Sequence, residues 1–314
     1  MIGVVIRTLN ESALIGRCLE MLGEQRGGLD LDVLVVDSGS TDATLEIARG
    51  QGARVLELEP KEFDYSKALN LGIDEVGGEL VVVLSAHAIP ADAYMLERLI
   101  DPFDTTGVAG VAARQLPWPN APWREIHRLR HQFGETREVY EQSNADRIVF
   151  SNACSCIRRS VWSEEPFTLP AVEDLDWARR VVAAGWNIVY EPEATVYHSH
   201  DEGPRAQAQR LIDINRVADD GIQRRTTRRT AREAVGLAVR DTRQVLSLDE
   251  PLRRKPGYVA EIIRVAWYYA LDFSRDGTTA ERRREDSINV SSHDASSKVR
   301  AASELERDPG RTLP

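Results

Sequence analysis

VVDSGSTDAT (residues 35–44) joins an apolar run to a polar turn, and its reading decides the fold. The run DVLVVD (32–37) has the length and β-branched content of a buried strand and closes on a carboxylate. SGS then turns the chain, and Ser40, Thr41 and Asp42 suit a turn and the cap of a helix running from about residue 41 to about residue 51. Upstream, GVVIRT (3–8) is a second strand, and Asn10 fits as the N-cap of a helix with Leu14, Ile15, Cys18, Leu19 and Leu22 on one face. Downstream, ARVLEL (53–58) and ELVVVLS (79–85) are strands, with a helix over about 66–75 between them. Short apolar runs alternating with amphipathic segments mark βαβ units in a doubly wound, Rossmann-like, mostly parallel sheet flanked by helices. Ligands of such folds bind beyond the carboxyl ends of the strands, where Thr8, Asp37 and the turn Ser85–Ala86–His87 stand.

The 314 residues are enough for a large core, and a net charge of −10 argues against a nucleic-acid partner. Cys18, Cys154 and Cys156 fit neither a disulfide framework nor a paired CxxC zinc site, so inert buried thiols are expected. The chain opens on a strand without a basic leader, and no run approaches the ~20 apolar residues of a membrane span. A cytoplasmic protein is expected, at most lying on the inner face of the membrane. No GxGxxG follows the first strand, which argues against a nicotinamide enzyme.

Further along, LPWPNAPW (116–123) reads as a loop, FSNACSCIRRSVW (150–162) has strand character, VEDLDWARRVVAAG (172–185) reads as a helix, and WNIVYEP and ATVYHSH as two short strands. From about residue 204 to 276 the pattern is helical and arginine-rich, ending in an aromatic helix around Trp267. Residues 277–314 are polar and aperiodic, and disorder is expected there.

Four stretches in this order, VVIRTLNES (4–12), VVDSGSTDAT, VVVLSAHAIP (81–90) and the pair VEDLDWARR (172–180) with VYHSH (196–200), resemble the inverting family 2 glycosyltransferases, and among them rhamnosyltransferase-like members. The resemblance implies the GT-A nucleotide-sugar-binding fold over residues 1–203, with a nucleotide half to about residue 90, an acceptor half beyond it and a C-terminal helical extension. It implies transfer of a hexose or deoxyhexose from a nucleotide-sugar donor to a hydroxyl of a glycan or lipid-linked acceptor, as in polysaccharide biosynthesis. Thr8, Leu9, Asn10 and Glu11 would meet the nucleoside, Asp37 the base, and Lys67 and Asn70 in FDYSKALNLGI (63–73) the ribose or diphosphate. Asp174 would be the general base, with Glu173 orienting its neighbours. Ser151, Asn152 and Trp177 would face the acceptor, and the loop tryptophans Trp118 and Trp123 are sugar platforms or core anchors. A non-catalytic nucleotide-sugar-binding protein on a degenerate GT-A fold is the alternative.

VVVLSAHAIP stands where most of the family has two carboxylates holding a divalent cation on the donor diphosphate, and Ser85, Ala86 and His87 include none. Two readings follow. His87 and His198, with His200 as a second choice, hold a metal, and imidazole favours Mn²⁺ over Mg²⁺. Otherwise positive charge from Arg7, Lys67, Arg158, Arg159 or a protonated His87 replaces the metal. In IQRRTTRRTARE (222–233) and the Trp267 helix, an anionic-membrane docking surface competes with a solvated basic face and a helix packed on the core or on the mate of a homodimer.

Overall fold

In the computed structural model, residues 1–59, 64–119, 121–170, 172–200, 203–218, 227–247 and 255–273 are described. They divide into two compact units, the first ending at His200.

The first unit begins as the apolar pattern requires. β1 (Ile2–Thr8), β2 (Leu31–Asp37), β3 (Arg54–Glu57) and β4 (Leu80–Ser85) lie parallel in the order β3-β2-β1-β4. α1 (Ile15–Gly23), α2 (Thr44–Gly50) and α3 (Tyr65–Glu75) form the crossovers. The strands read as continuous apolar runs because both faces are covered: Val4 and Ile6 enter one buried cluster, and Val5 enters the other. α3 comes so close to the sheet at Gly72 that a Cβ there would stand 2.6 Å from Val5 and 2.8 Å from Val36. Only glycine permits that approach.

The sheet continues through β5 (Ile89–Pro90), β6 (Val108–Leu116), β7 (Glu138–Tyr140), β8 (Cys154–Arg158) and β9 (Asn187–Tyr197) into one nine-stranded sheet, β3-β2-β1-β4-β8-β6-β9-β5, with β7 also on β9. β8 is antiparallel to both β4 and β6, while β6 and β9 are parallel, so β1 to β4, β6 and β9 all run in one direction. The mostly parallel expectation holds in that sense, and six carboxyl ends share one edge. α4 (Met95–Ile100), α5 (Trp123–Gln132), α6 (Arg159–Glu164) and α7 (Glu173–Ala183) complete this unit.

Several local expectations change. Helix α1 starts at Ile15, not after Asn10, because Asn10 takes a left-handed backbone (φ 53°) and its side chain accepts from the N–H of Thr41 at 2.8 Å. The two short strands expected near residues 186–200 are one strand, β9, whose register against β6 shifts between Ala113 and Arg114. The LPWPNAPW loop ends in α5, which Trp123 opens one residue after a proline. The three cysteines are free and buried, and burial pushes the Cys18 thiol up to about 12.

The second unit contains α8 (Pro204–Ala218), α9 (Thr227–Ser247) and α10 (Lys255–Phe273). Ala208, Ile212, Ala234, Val265, Ala266 and Tyr269 form its buried cluster. Among the described residues no helix is long and apolar enough to cross a membrane. The expectation of disorder over residues 277–314, and the residues 222–226 of the arginine-rich stretch, lie outside the described residues.

Candidate active site

The shared strand edge collects the polar residues. In register, Thr8 of β1 lies beside Asp37 of β2, and Arg7 beside Ser85 of β4. The N–H of Ser85 donates to the carbonyl of Ala153, which carries the line on to Asn152 and, through it, to α7. On the nucleoside side, Asp37 is 1% exposed and shapes its own turn: the N–H groups of Gly39 and Ser40 donate to Oδ2 at 2.8 Å, and the Ser40 hydroxyl donates to Oδ1. The same serine accepts from the N–H of Asn10 at 2.8 Å, so the loops after β1 and β2 are tied together, with Leu9 half-buried between Thr8 and Asn10. Thr8 Oγ1 and Ser38 Oγ are buried at these strand ends with no hydrogen-bond partner among the described residues. Such polar atoms are costly without a ligand or water.

At the other side of β4 three histidines meet. His87 follows the β4 turn, and His198 and His200 follow β9, whose end pairs with that of β6. Nδ1 of His87 donates to Glu11 Oε1 at 2.8 Å, with Ser85 Oγ at 3.2 Å. Nδ1 of His198 faces the buried Gln115 Oε1 at 2.8 Å. These second partners set both tautomers, so each ring turns its Nε2 lone pair to the other, 3.1 Å apart. A shared proton or a metal ion resolves that opposition. Two nitrogens each about 2.0–2.1 Å from one ion lie roughly 2.8–3.4 Å apart, so the spacing fits a metal edge. His200 adds a third imidazole, and the ligand atoms of all three lie within 4.8 Å of one another. Imidazole flanked by carboxylate and amide partners is a donor set for a borderline transition ion rather than Mg²⁺.

Beside this cluster stands a carboxylate couple. Val172, the N-cap of α7, has φ 60°, a left-handed backbone that costs a β-branched residue of order 1–3 kcal/mol, and the helix starts there with Glu173 and Asp174. Glu173 is buried, accepts from Asn152 Nδ2 at 3.3 Å and pairs with Arg7 at 3.4 Å. Arg7 in turn lies over the ring of Tyr65, 4.1 Å from its centroid. Asp174 accepts from the N–H of Asn152 at 3.1 Å and of Leu175 at 2.7 Å. Burial, and then the negative Glu173, push its carboxyl up to about 7 against the pull of those N–H groups and of Arg7. A carboxylate with that affinity for a proton suits a base acting near neutral pH.

Several expected site residues are committed elsewhere. Trp177 is 0% exposed, ring to ring with Phe150 and Phe167, and its Nε1 donates to the carbonyl of Glu165 at 2.7 Å; no face is open to a sugar. Asn152 is 2% exposed and holds Glu173, Asp174 and Ser155, which makes it a positioning residue for the carboxylates. Asn70 bonds Trp162 and both backbone groups of Phe167, a clasp between α3 and the chain after α6. Arg159 donates to carbonyls at the end of α3, and Arg158 to those of Val108 and Phe103; both stand at the strand end opposite the site. Only Arg7 and Lys67 of the four cations remain on the site side, and Lys67 lies in the first turn of α3. Trp118 is buried and stacked on Tyr197, which makes it an anchor. Ala86 is fully buried, its N–H donated to Arg7, and Ser151 accepts from the N–H of Ala153.

Sequence reading missed Gln115, Tyr65 and the role of Glu11 toward His87. Gln115 had a signal: with Arg114 it is one of two polar residues near the end of the apolar run VAGVAARQL.

A sheet of this topology with its polar residues at the shared strand edge is the GT-A fold of nucleotide-sugar-dependent glycosyltransferases, and this chain is such an enzyme. It belongs to the family described as glycosyl transferase family 2, whose profile matches residues 3–165, about half of the chain. The O-antigen chain rhamnosyltransferase RfbN of Salmonella typhimurium is 28% identical over 222 residues, 68% of this chain and 70% of the relative. WbaN, the O-antigen chain rhamnosyltransferase of Salmonella anatum, is 30% identical over 190 residues, 58% of this chain and 60% of the relative. Among solved structures, the mannosyltransferase PcManGT from Pyrobaculum calidifontis, in complex with GDP-Man and Mn²⁺, superposes with a TM-score of 0.51 at 18% identity, over 99% of this chain and 88% of that one. TarS 1-349 from S. aureus, in complex with UDP, gives 0.53 at 18% identity, over 83% and 70%. At that identity the structures speak for the fold.

Proposed function

We propose that this chain transfers a deoxyhexose, the sugar class in the names of the two O-antigen rhamnosyltransferases, from a nucleoside diphosphate to a hydroxyl of a growing glycan on a lipid carrier, with inversion at the anomeric carbon. The observation that carries this reading is the carboxylate couple at the strand edge: Asp174, with its raised proton affinity, is held by Asn152 and backed by the Glu173–Arg7 pair. Asp174 takes the acceptor proton as the oxygen attacks from the face opposite the nucleotide. The buried hydroxyls of Thr8 and Ser38 and the loops held by Asp37 and Asn10 support a nucleoside site beside β1 and β2.

His87 and His198, with His200 as a third ligand, would hold a divalent ion, Mn²⁺ before Mg²⁺. When bound, such an ion supplies positive charge to the departing diphosphate. Glu11 and Gln115 orient the two rings.

Asp174→Asn tests the reading. Nucleoside diphosphate binding, read by calorimetry, should stay as in wild type, while transfer from a panel of nucleotide deoxyhexoses should fall about 10²–10⁴-fold. Transfer that persists in Asp174→Asn would remove Asp174 as the base.

A further inference from the structure

The stretch that carries the three helices of the second unit is basic. Residues 204–273 hold 14 basic and nine acidic side chains, net +5, in a chain of net −10. Among the described side chains of α9 and α10, arginines stand outward together with large apolar groups. On α9 the exposed positions include Arg232, Val235, Val239, Arg240, Arg243 and Leu246. They recur at three- and four-residue spacing, so they share one side of the helix. On α10 the exposed positions Ala260, Ile263, Arg264, Trp267 and Leu271 do the same, opposite the buried Ile262, Val265, Ala266 and Tyr269.

The exposures are large for such side chains: Trp267 and Val235 63%, Leu246 60%, Ile263 57%. Among the described side chains of α9 and α10 the acids are all half-buried: Glu233 accepts from the Tyr269 hydroxyl, Asp241 is paired with Arg240, and Glu261 flanks the exposed stripe on the side of the buried residues. The outward faces therefore combine apolar groups with arginine and show no exposed acid among the described residues.

We propose that the outward faces of α9 and α10 dock this enzyme on an anionic phospholipid bilayer, the helices lying in the plane of the headgroups. Charge complementarity names the occupant. A second copy docking by this same face would set arginine against arginine, whereas arginines beside an exposed tryptophan, isoleucine and leucine match acidic headgroups above an acyl layer. Trp267 supplies an amphipathic ring for the headgroup level, and the arginines add long-range attraction that salt weakens. The inference is independent of the transfer chemistry at the strand edge.

Flotation of the full chain with vesicles of neutral phosphatidylcholine, or of phosphatidylcholine mixed with phosphatidylglycerol, tests it, with a second readout in the lipid-induced change of tryptophan emission that Trp267→Phe removes. Binding should need the anionic lipid, weaken with salt, and fall about fivefold for each of Arg232→Gln, Arg243→Gln and Arg264→Gln. Ile263→Ser with Trp267→Ser should abolish it, with thermal unfolding and hydrolysis of the nucleotide-sugar donor retained. Should that pair unfold the protein, the arginine variants still decide. Equal binding to neutral vesicles, no binding to anionic ones, or a wild-type dimer that the Ile263/Trp267 pair converts to monomer would overturn the proposal. The last result would assign the face to a second copy of the chain.

Discussion

Replacing Gln115 by leucine removes a buried amide, and it should change how the enzyme uses metal. Gln115 Oε1 lies 2.8 Å from His198 Nδ1 and thereby fixes which nitrogen of that ring points at His87. Leucine has a similar volume, so the packing cost is small; the loss is one buried hydrogen bond, about 1–3 kcal/mol, and the fixed tautomer. Removing such an outer partner of a metal-ligating histidine typically costs about 10–100-fold in metal affinity, or about 1.4–2.7 kcal/mol. Calorimetric titration of Mn²⁺ in the presence of the nucleoside diphosphate reads this directly. The activity curve against Mn²⁺ should shift to higher concentration while kcat at saturating metal stays close to wild type, the split expected of a positioning residue. Gln115→Glu should restore or tighten binding, because a carboxylate accepts the Nδ1–H more strongly than an amide. An affinity for Mn²⁺ that stays within about threefold of wild type in Gln115→Leu would refute the assignment of His198 as an oriented ligand.

Other consequences concern the carboxylates and the core. Because Asp174 must be ionised to act and its carboxyl is pushed up to about 7, kcat should rise as pH passes neutrality. Arg7→Met removes a positive charge that favours the ionised form, so the rising limb should move to higher pH; a fixed limb would mean another group titrates. The raised value favours the folded state with Asp174 protonated, so that contribution to stability is complete below its usual 3.8 and is lost as pH rises through about 7. Val172→Gly relieves a left-handed backbone and should raise the melting temperature while lowering kcat several-fold, as α7 loses its fixed start. Gly72→Ala should cost about 1–3 kcal/mol in denaturant unfolding, because its Cβ would clash with Val5 and Val36. Trp177→Phe should lower stability by about 1–3 kcal/mol and leave the acceptor KM unchanged, since that ring is core; a raised acceptor KM would contradict its burial.

The parallel half of the fold was legible because its signal is local. Apolar runs of strand length closing on Thr8, Asp37 and Ser85 gave strand, direction and ligand edge together, and burial on both faces explains why those runs do not alternate. Beyond residue 90 the sheet is built from pairings that no short window contains. β8 inserts between β4 and β6, and two apparent short strands are one because a register shift lets β9 stay paired along β6. The polar residues failed in the same way. Asn70, Asn152, Arg158 and Arg159 have the chemistry to meet a ligand, but each is committed to backbone or side-chain partners at least 21 positions away. Composition and spacing give a group's capability, and its tertiary neighbours decide whether that capability is spent inside the protein.

The turn Ser85–Ala86–His87 is the sharpest instance. Read alone, it has lost the negative charge that a cation beside a diphosphate would call for. In the folded chain a carboxylate stands directly behind the imidazole: Glu11, from the loop after β1, binds His87 Nδ1 at 2.8 Å. The negative charge has moved outward by one residue, and imidazole has taken the inner position. That exchange makes the ligand set softer while Glu11 keeps the ring electron-rich and correctly turned. It also couples the nucleoside loop, which Asn10 ties to Ser40 and Thr41, to the orientation of His87 through a single side chain. Glu11→Gln should therefore weaken metal and nucleotide together, whereas Gln115→Leu, on the far strand, should weaken metal alone. Calorimetry of each ligand in both variants separates the two. Equal losses of nucleotide in Glu11→Gln and Gln115→Leu would break the coupling inferred between the β1 loop and His87.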